Sequence, residues 1–331
     1  MNTINDQLNK YTLTLVMDHE SRLIDPKGIE VFDPIIGQKE TIKKLRFFVG
    51  SHSTKTPCPT LLFTGSQGLG KTFMAKKVAD ALGRELIEVN SGAMETIDDF
   101  IEGVLINRVS GFTPKTILLD EAHEISPDIT TNLLTLLNPT STNINKLAYK
   151  NWNVEYDFSK LNVILATTDA HKIFRPLLNR CVEIYFSLYS HEELYAILTN
   201  YLPGISICCN PDEIAYACRG RARDAYLLSQ NISRYCVMNK TSIFGNKAWD
   251  NVKEIFGLHP CGLKTQEVEL LKIVAEEGPI SLTNLSVKMG LNTSNVESEI
   301  EIRPRELGFI DNAARGRILT EKGREYLRKA I

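Results

Sequence analysis

A glycine-rich turn that opens on the apolar run Leu61-Leu62-Phe63-Thr64 constrains this chain more than any other feature. Gly65, Gly70, Lys71 and Thr72 satisfy the G-x-x-x-x-G-K-[ST] spacing, with Gly68 between them. Glycines let the backbone curl so that successive N–H groups point at phosphate oxygens, a lysine at the Lys71 position reaches the β and γ phosphates, and a hydroxyl at the Thr72 position ligates Mg²⁺. Ala75, Val78, Ala79 and Leu82 continue at helical spacing. The order is therefore strand, turn and helix, and the helix N-terminus adds its positive end to the phosphate site. A nucleoside triphosphate with Mg²⁺ is the expected ligand, contacted from Gly65, Gly68, Leu69, Gly70, Lys71, Thr72 and Phe73.

Composition limits what this site can belong to. A chain of 331 residues is long enough for two or three domains, and 43% hydrophobic with 24% charged residues is ordinary globular usage. The net charge of -2 means that any nucleic-acid contact must come from a local basic patch. Seven cysteines, odd in number and without a C-x-x-C pair, suggest neither a zinc site nor a disulfide framework. Residues 1–10 are polar, and no run of about 18 apolar residues occurs. A soluble cytoplasmic protein with no membrane contact is expected.

Beyond the turn, apolar runs alternate with helical patterns: Leu86 to Val89, Glu95 to Ile106, Thr116 to Leu119, Ile129 to Leu137, Asn162 to Ala166. Such alternation predicts an α/β fold with a parallel sheet covered by helices. The stretch from Pro139 to Phe158 is expected to form an inserted β-hairpin, the alternative being a long surface loop. From Ser190 the pattern turns helical through Glu192 to Asn200, Asp212 to Cys218 and Arg223 to Val237, describing a small lid. After the break at residues 257–262, three helical stretches and a turn around Arg315-Gly316-Arg317 describe a winged helix. The expected domains are residues 1–189, 190–256 and 257–331.

Ile117-Leu118-Leu119-Asp120-Glu121 is an apolar strand ending in two carboxylates, expected beside the strand that feeds the turn. Asp120 is placed to hold Mg²⁺ and Glu121 to orient and deprotonate an attacking water. By itself such a pair is an ordinary strand end; the phosphate turn is what favours catalysis. The same residues spell Asp-Glu-Ala-His, a signature of two-lobed helicases, but residues 190–331 are too short and too helical for a second nucleotide-clasping lobe. Thr167 and Thr168 end the next strand, where a γ-phosphate would be sensed. Arg180 follows a short helix, and Arg219, Arg221 and Arg223 surround Gly220 at the start of a lid helix, where a guanidinium would join lid closure to phosphate charge.

This order of elements resembles the AAA+ ATPases, and within them the RuvB family of Holliday-junction branch-migration motors, over roughly residues 30–328. The resemblance rests on Ile36-Gly37-Gln38, Gly68-Leu69-Gly70-Lys71-Thr72, Ala166-Thr167-Thr168, Pro176-Leu177 with Arg180, and Leu307-Gly308-Phe309-Ile310 running into Arg315-Gly316-Arg317. It implies ATP as the nucleotide and Thr167 or Thr168 as the γ-phosphate sensor. It further implies Arg180 as an arginine finger acting on a neighbouring subunit, Arg223 as a lid sensor and Tyr189 along the adenine or ribose. A homo-hexamer around double-stranded DNA is implied, acting on four-way junctions, with Arg315 and Arg317 of the wing on the backbone. A RuvA-like junction-recognition protein is the candidate partner.

Four departures stand out. Ser66-Gln67 replace two prolines of the family, Leu178 replaces an arginine, Asn312 replaces a basic residue, and the segment before Ile36 lacks an arginine-proline pair. An AAA+ switch of the clamp-loader kind, docking on DNA or protein without processive movement, is the competing expectation.

Overall fold

Seven strands build the N-terminal part: β1 (Leu61–Thr64), β2 (Glu85–Asn90), β3 (Lys115–Asp120), β4 (Ile144–Tyr149), β5 (Trp152–Asp157), β6 (Leu161–Thr167) and β7 (Val182–Tyr185). The computed structural model describes residues 27–109, 113–150 and 152–330, so most of the predicted N-terminal extension lies outside the described residues. Five strands form one sheet in the order β2-β3-β6-β1-β7, every pair parallel. Parallel strands covered on both faces read as continuous apolar runs, and β1 and β6 are buried along their whole length.

The sheet order corrects one expectation. β3 does not lie beside β1; β6 is interposed, pairing Thr167 with Thr64 on one side and Leu165 with Leu119 on the other. Spacing along the chain cannot distinguish these orders. Burial does: β6 has seven consecutive buried residues and therefore takes a central place, whereas β2 alternates exposed and buried positions as an edge strand.

Helices α1 (Lys39–Gly50), α2 (Lys71–Ala81), α3 (Pro127–Leu136) and α4 (Arg175–Leu178), with a helical segment over Asp99–Val109, surround this sheet. Phe100, Ile101 and Leu105 of that segment and Ile129 and Leu133 of α3 share one core with Leu62, Ile117, Leu119 and Leu165 of the strands. Ser126 starts α3 by accepting the Ile129 N–H, with Pro127 at the first helical position. Antiparallel β4 and β5 form a hairpin, and Leu147 and Tyr156 sink into the same core. At its tip Lys150 donates to Asp98 Oδ2 at 2.9 Å and to Glu102 Oε1 at 2.8 Å.

Arg84, just beyond α2, donates to the Ser159 carbonyl at 2.8 Å and faces the His52 ring. Burial, helped by Arg84, pushes the His52 pKa down to about 4.

The chain divides into two compact units, Met1–Leu188 and Tyr189–Ile331. In the second, α5 (His191–Asn200), α6 (Pro211–Ala217), α7 (Ala222–Met238) and α8 (Asn246–Phe256) form the lid. Ser190 and Glu193 cap α5 reciprocally. The lid is not all helical. Ser206–Cys208 (β8) and Ile243–Gly245 (β9) pair in parallel, strands of three residues that carry too little periodicity to be read from sequence.

Helices α9 (Thr265–Glu277) and α10 (Leu282–Met289), a broken helical run over residues 293–306, strands β10 (Ile310–Ala313) and β11 (Gly316–Leu319), and α11 (Glu321–Ala330) complete the unit. Lid and winged helix are joined by ionic and steric contacts. The Arg219 guanidinium meets Glu267 Oε1 at 2.5 Å with both side chains buried, and Arg221 pairs with Glu306 at 3.0 Å. Gly262 lies so close to the Tyr216 carbonyl that a Cβ there would stand 2.2 Å from it.

Two measurements test these packing arguments. Removing one partner of a buried ion pair leaves an uncompensated charge, so Glu267→Ala is expected to destabilise the second unit by about 3–5 kcal/mol, read by urea unfolding. The unfolded His52 ring titrates near 6.5 and the folded one near 4. His52 therefore contributes stability above pH ~6.5 that is lost as pH falls towards ~4. Urea midpoints of wild type and His52→Asn across that window are expected to converge on acidification.

Candidate functional site

Parallel pairing brings the C-terminal ends of β1, β3 and β6 to one edge of the sheet, where open α/β sheets bind ligands. The turn after β1 depends on its glycines. Gly65 has φ 140°, and a Cβ there would lie 2.6 Å from the Phe186 carbonyl; Gly68 and Gly70 have φ 82° and 93°. These are left-handed conformations that side chains resist. Lys71 is buried, its ammonium donating to the Gly65 carbonyl at 2.7 Å and the Ser66 carbonyl at 3.0 Å. The charge is thus held inside the curl of the turn. Leu69 is buried, while Phe73 is half exposed in the first turn of α2 with Lys77 over its ring at 5.6 Å.

Thr72 and Asp120 meet across the sheet edge, Thr72 Oγ1 donating to Asp120 Oδ2 at 3.2 Å. A hydroxyl and a carboxylate oxygen side by side are hard donors, a pair that fits Mg²⁺ shared with phosphates and water. Glu121 follows in a left-handed conformation, φ 50°, and its N–H donates to Asp120 Oδ1 at 3.0 Å. That bend turns Glu121 off the strand. Its carboxylate comes to rest 3.5 Å from the Thr168 hydroxyl and 3.5 Å from His123 Nδ1.

The two threonines at the end of β6 separate by direction. Thr167 is fully buried, accepts the Asp169 N–H at 2.9 Å and meets His123 Nδ1 at 3.0 Å, whereas Thr168 faces Glu121. Sequence left the choice open; side-chain alternation brings Thr168 to the carboxylate. His123 was not singled out by sequence as a site residue, although it is the fourth member of Asp-Glu-Ala-His. Lys172 beside Asp169 holds that carboxyl below its ordinary range.

Arg180 stands at the opposite edge. It precedes β7, whose Val182 N–H bonds to Thr60 ahead of β1, so about 10 Å of strand separates it from the end that carries the phosphate turn. Its guanidinium donates to the Pro176 carbonyl at 2.8 Å and to Asn138 Oδ1 at 3.4 Å. Its guanidinium is therefore held among Pro176 and Asn138, away from the phosphate turn.

Tyr189 and Arg223 belong to the second unit. The Tyr189 N–H donates to the Gly220 carbonyl at 3.0 Å, which sets it at the turn leading into α7, where Arg223 is exposed in the first turn. Arg219 and Arg221, the other two arginines around Gly220, are paired with Glu267 and Glu306.

The wing treats its two arginines differently. Arg315 is exposed at the hairpin turn. Arg317 is not available in that way: its guanidinium donates to both oxygens of Glu301, at 2.6 and 3.3 Å, and the Glu301 side chain is fully buried. Arg305 bonds the same carboxylate at 2.9 Å and reaches Asn312 Oδ1 at 2.9 Å. A buried carboxylate demands such partners. Of the two arginines expected on a nucleic-acid backbone, Arg315 is thus exposed at the wing tip, whereas Arg317 is engaged by Glu301 and braces the wing. Gly316, at φ 130°, would place a Cβ 2.1 Å from the Ile280 carbonyl, so the wing requires glycine there.

Comparison with known proteins matches both units. Residues 61–188 match the ATPase family associated with various cellular activities, and residues 260–328 match the RuvB C-terminal winged helix domain. The Holliday junction branch migration complex subunit RuvB of Anaplasma marginale is 28% identical over 98% of this chain and 98% of its own length. That of Mycoplasma genitalium is 25% identical over 91% and 97%. Among solved structures, the Thermotoga maritima RuvB Holliday junction branch migration motor superposes with a TM-score of 0.73 at 22% identity, covering 88% of this chain and 95% of that one.

Gly65→Ala is expected to cost about 1–3 kcal/mol of stability through forced backbone strain and to weaken nucleotide binding at least tenfold. Thermal unfolding and titration with a fluorescent ATP analogue check the two effects separately.

Proposed function

The chain is a RuvB-like AAA+ protein, and on that premise we propose that it is an ATP-driven motor that moves four-way DNA junctions in recombination and repair. One observation carries the chemistry: Thr72, Asp120 and Glu121 converge at the end of parallel strands beside the buried ammonium of Lys71. Lys71 neutralises charge on the β and γ phosphates, and Thr72 and Asp120 would hold Mg²⁺, which supplies further neutralisation of the transferred phosphoryl. Glu121 orients and deprotonates the attacking water, and Thr168 senses the γ-phosphate. Tyr189 and Arg223 take the adenine side and the phosphate charge from the lid.

Arg180 completes the site of the next subunit, which is why a ring, in this reading a hexamer, is required for turnover. Its position at the far edge of the sheet supports that reading. The ring encircles duplex DNA, and Arg315 at each wing tip touches the backbone; contacts of that kind carry no sequence information, as a translocating motor requires. The exposed part of the third winged-helix segment carries Glu297 and Glu299, which disfavours its insertion into a groove. A RuvA-like protein bringing the junction, and a cytoplasmic setting, belong to the same proposal.

Unwinding of a labelled four-way junction in the presence of ATP, with and without a RuvA-like protein, tests this directly. Movement dependent on ATP is expected; junction binding without movement overturns the motor. Glu121→Gln is expected to bind ATP and assemble while turnover falls by a factor of about 10² or more. Arg315→Ala is expected to weaken binding uniformly across sequences and to lower the salt slope by about 1. Arg317→Ala is expected instead to lower the unfolding midpoint.

A further inference from the structure

Glu121 is useful only if its carboxylate is held in one pose, and the side chain that stands against it is His123. The imidazole is largely buried, 13% exposed, and lies where the ends of β3 and β6 meet. Its Nδ1 is 3.5 Å from Glu121 Oε2 and 3.0 Å from Thr167 Oγ1. Its Nε2 is 3.9 Å from Asp169 Oδ2. One ring nitrogen thus faces both the carboxylate and the tip of the neighbouring strand.

The hydrogen-bond inventory sharpens this. Thr167 Oγ1 already accepts the Asp169 N–H at 2.9 Å, and it retains one hydrogen of its own and one further acceptor site. A neutral imidazole offers a single N–H. When Nδ1 carries it, that proton has two acceptors within reach, the Glu121 carboxylate and the Thr167 hydroxyl. When Nδ1 is bare, the Thr167 hydroxyl donates to it and the carboxylate loses that partner. The pose of Glu121 is therefore tied to the position of the β6 tip, whose next residue, Thr168, touches the same carboxylate oxygen.

We propose that His123 is a positioning residue for ATP hydrolysis, steering the Glu121 carboxylate through Nδ1 and coupling it to Thr167. The proposal rests on the ATPase reading of the site. It acts on turnover and not on nucleotide affinity, because His123 lies beyond the residues that hold phosphate.

The test uses the full chain and three variants. An asparagine amide occupies the place of Nδ1, a glutamine amide the place of Nε2, and alanine occupies neither. His123→Ala and His123→Gln are expected to lower kcat for ATP at least tenfold with KM within about twofold of wild type, whereas His123→Asn recovers most of the rate. A side chain that merely fills space would make Asn and Gln equivalent, so equal rates for those two overturn the proposal, as does a wild-type rate in His123→Ala. A loss that appears in KM with kcat unchanged also overturns it. Should alanine fail to fold, the Asn and Gln pair decides alone, with thermal midpoints confirming that both are folded. Wild-type protein unable to hydrolyse ATP would instead remove the ATPase reading and the proposal with it.

Discussion

Parallel pairing of β1, β3 and β6 is the constraint from which the rest follows, because it delivers three strand ends to a single edge of one sheet. Each end carries a different chemical part. The end of β1 supplies a turn whose Gly65 and Ser66 carbonyls hold the Lys71 ammonium, that of β3 supplies two carboxylates, and that of β6 supplies two hydroxyls. Two burial facts maintain the arrangement. β6 is apolar enough to sit between its neighbours, and the core formed with Phe100, Ile101, Ile129 and Leu133 covers the sheet. The same pairing sends Arg180 to the opposite edge, where it bonds Pro176 and Asn138 and not the phosphate turn.

Charge inside the second unit follows a different rule. Glu267 and Glu301 are buried acids, and each has arginine partners at hydrogen-bonding distance. Such pairs are poor sources of net stability, but they are costly to break and they specify geometry. Arg219 and Glu267 set the lid against the winged helix, and Arg317 with Arg305 sets the wing against the helical run before it. Both struts lie within the second unit, and Arg315 stands exposed at the wing tip beyond them.

Much of this was legible beforehand for physical reasons that can be named. A phosphate turn needs glycine at positive φ and a lysine at fixed distance, so Gly65, Gly68, Gly70 and Lys71 announce it in any context. Alternating apolar runs and helical patterns announce a covered parallel sheet. The two-residue choice at Thr167 and Thr168 was not legible, since only the pleat of β6 determines which hydroxyl meets Glu121. His123 was not legible either, because a histidine in a strand-end turn carries no periodic signal and its partner Thr167 lies on a strand far along the chain.

What the amino-acid sequence determined by itself was local: the turn, the acid-tipped strand, the helical stretches of the lid and the glycine-bracketed wing, each set by backbone freedom or side-chain period within a few residues. Tertiary structure alone decided the order β2-β3-β6-β1-β7, the pairing of Thr72 with Asp120, and the allocation of arginines. Arg219, Arg221 and Arg317 are bound to acids of distant segments while Arg223 and Arg315 stay exposed. The reason is that burial and charge pairing are settled by which segments meet in space, and an arginine in a sequence does not disclose whether a buried carboxylate awaits it.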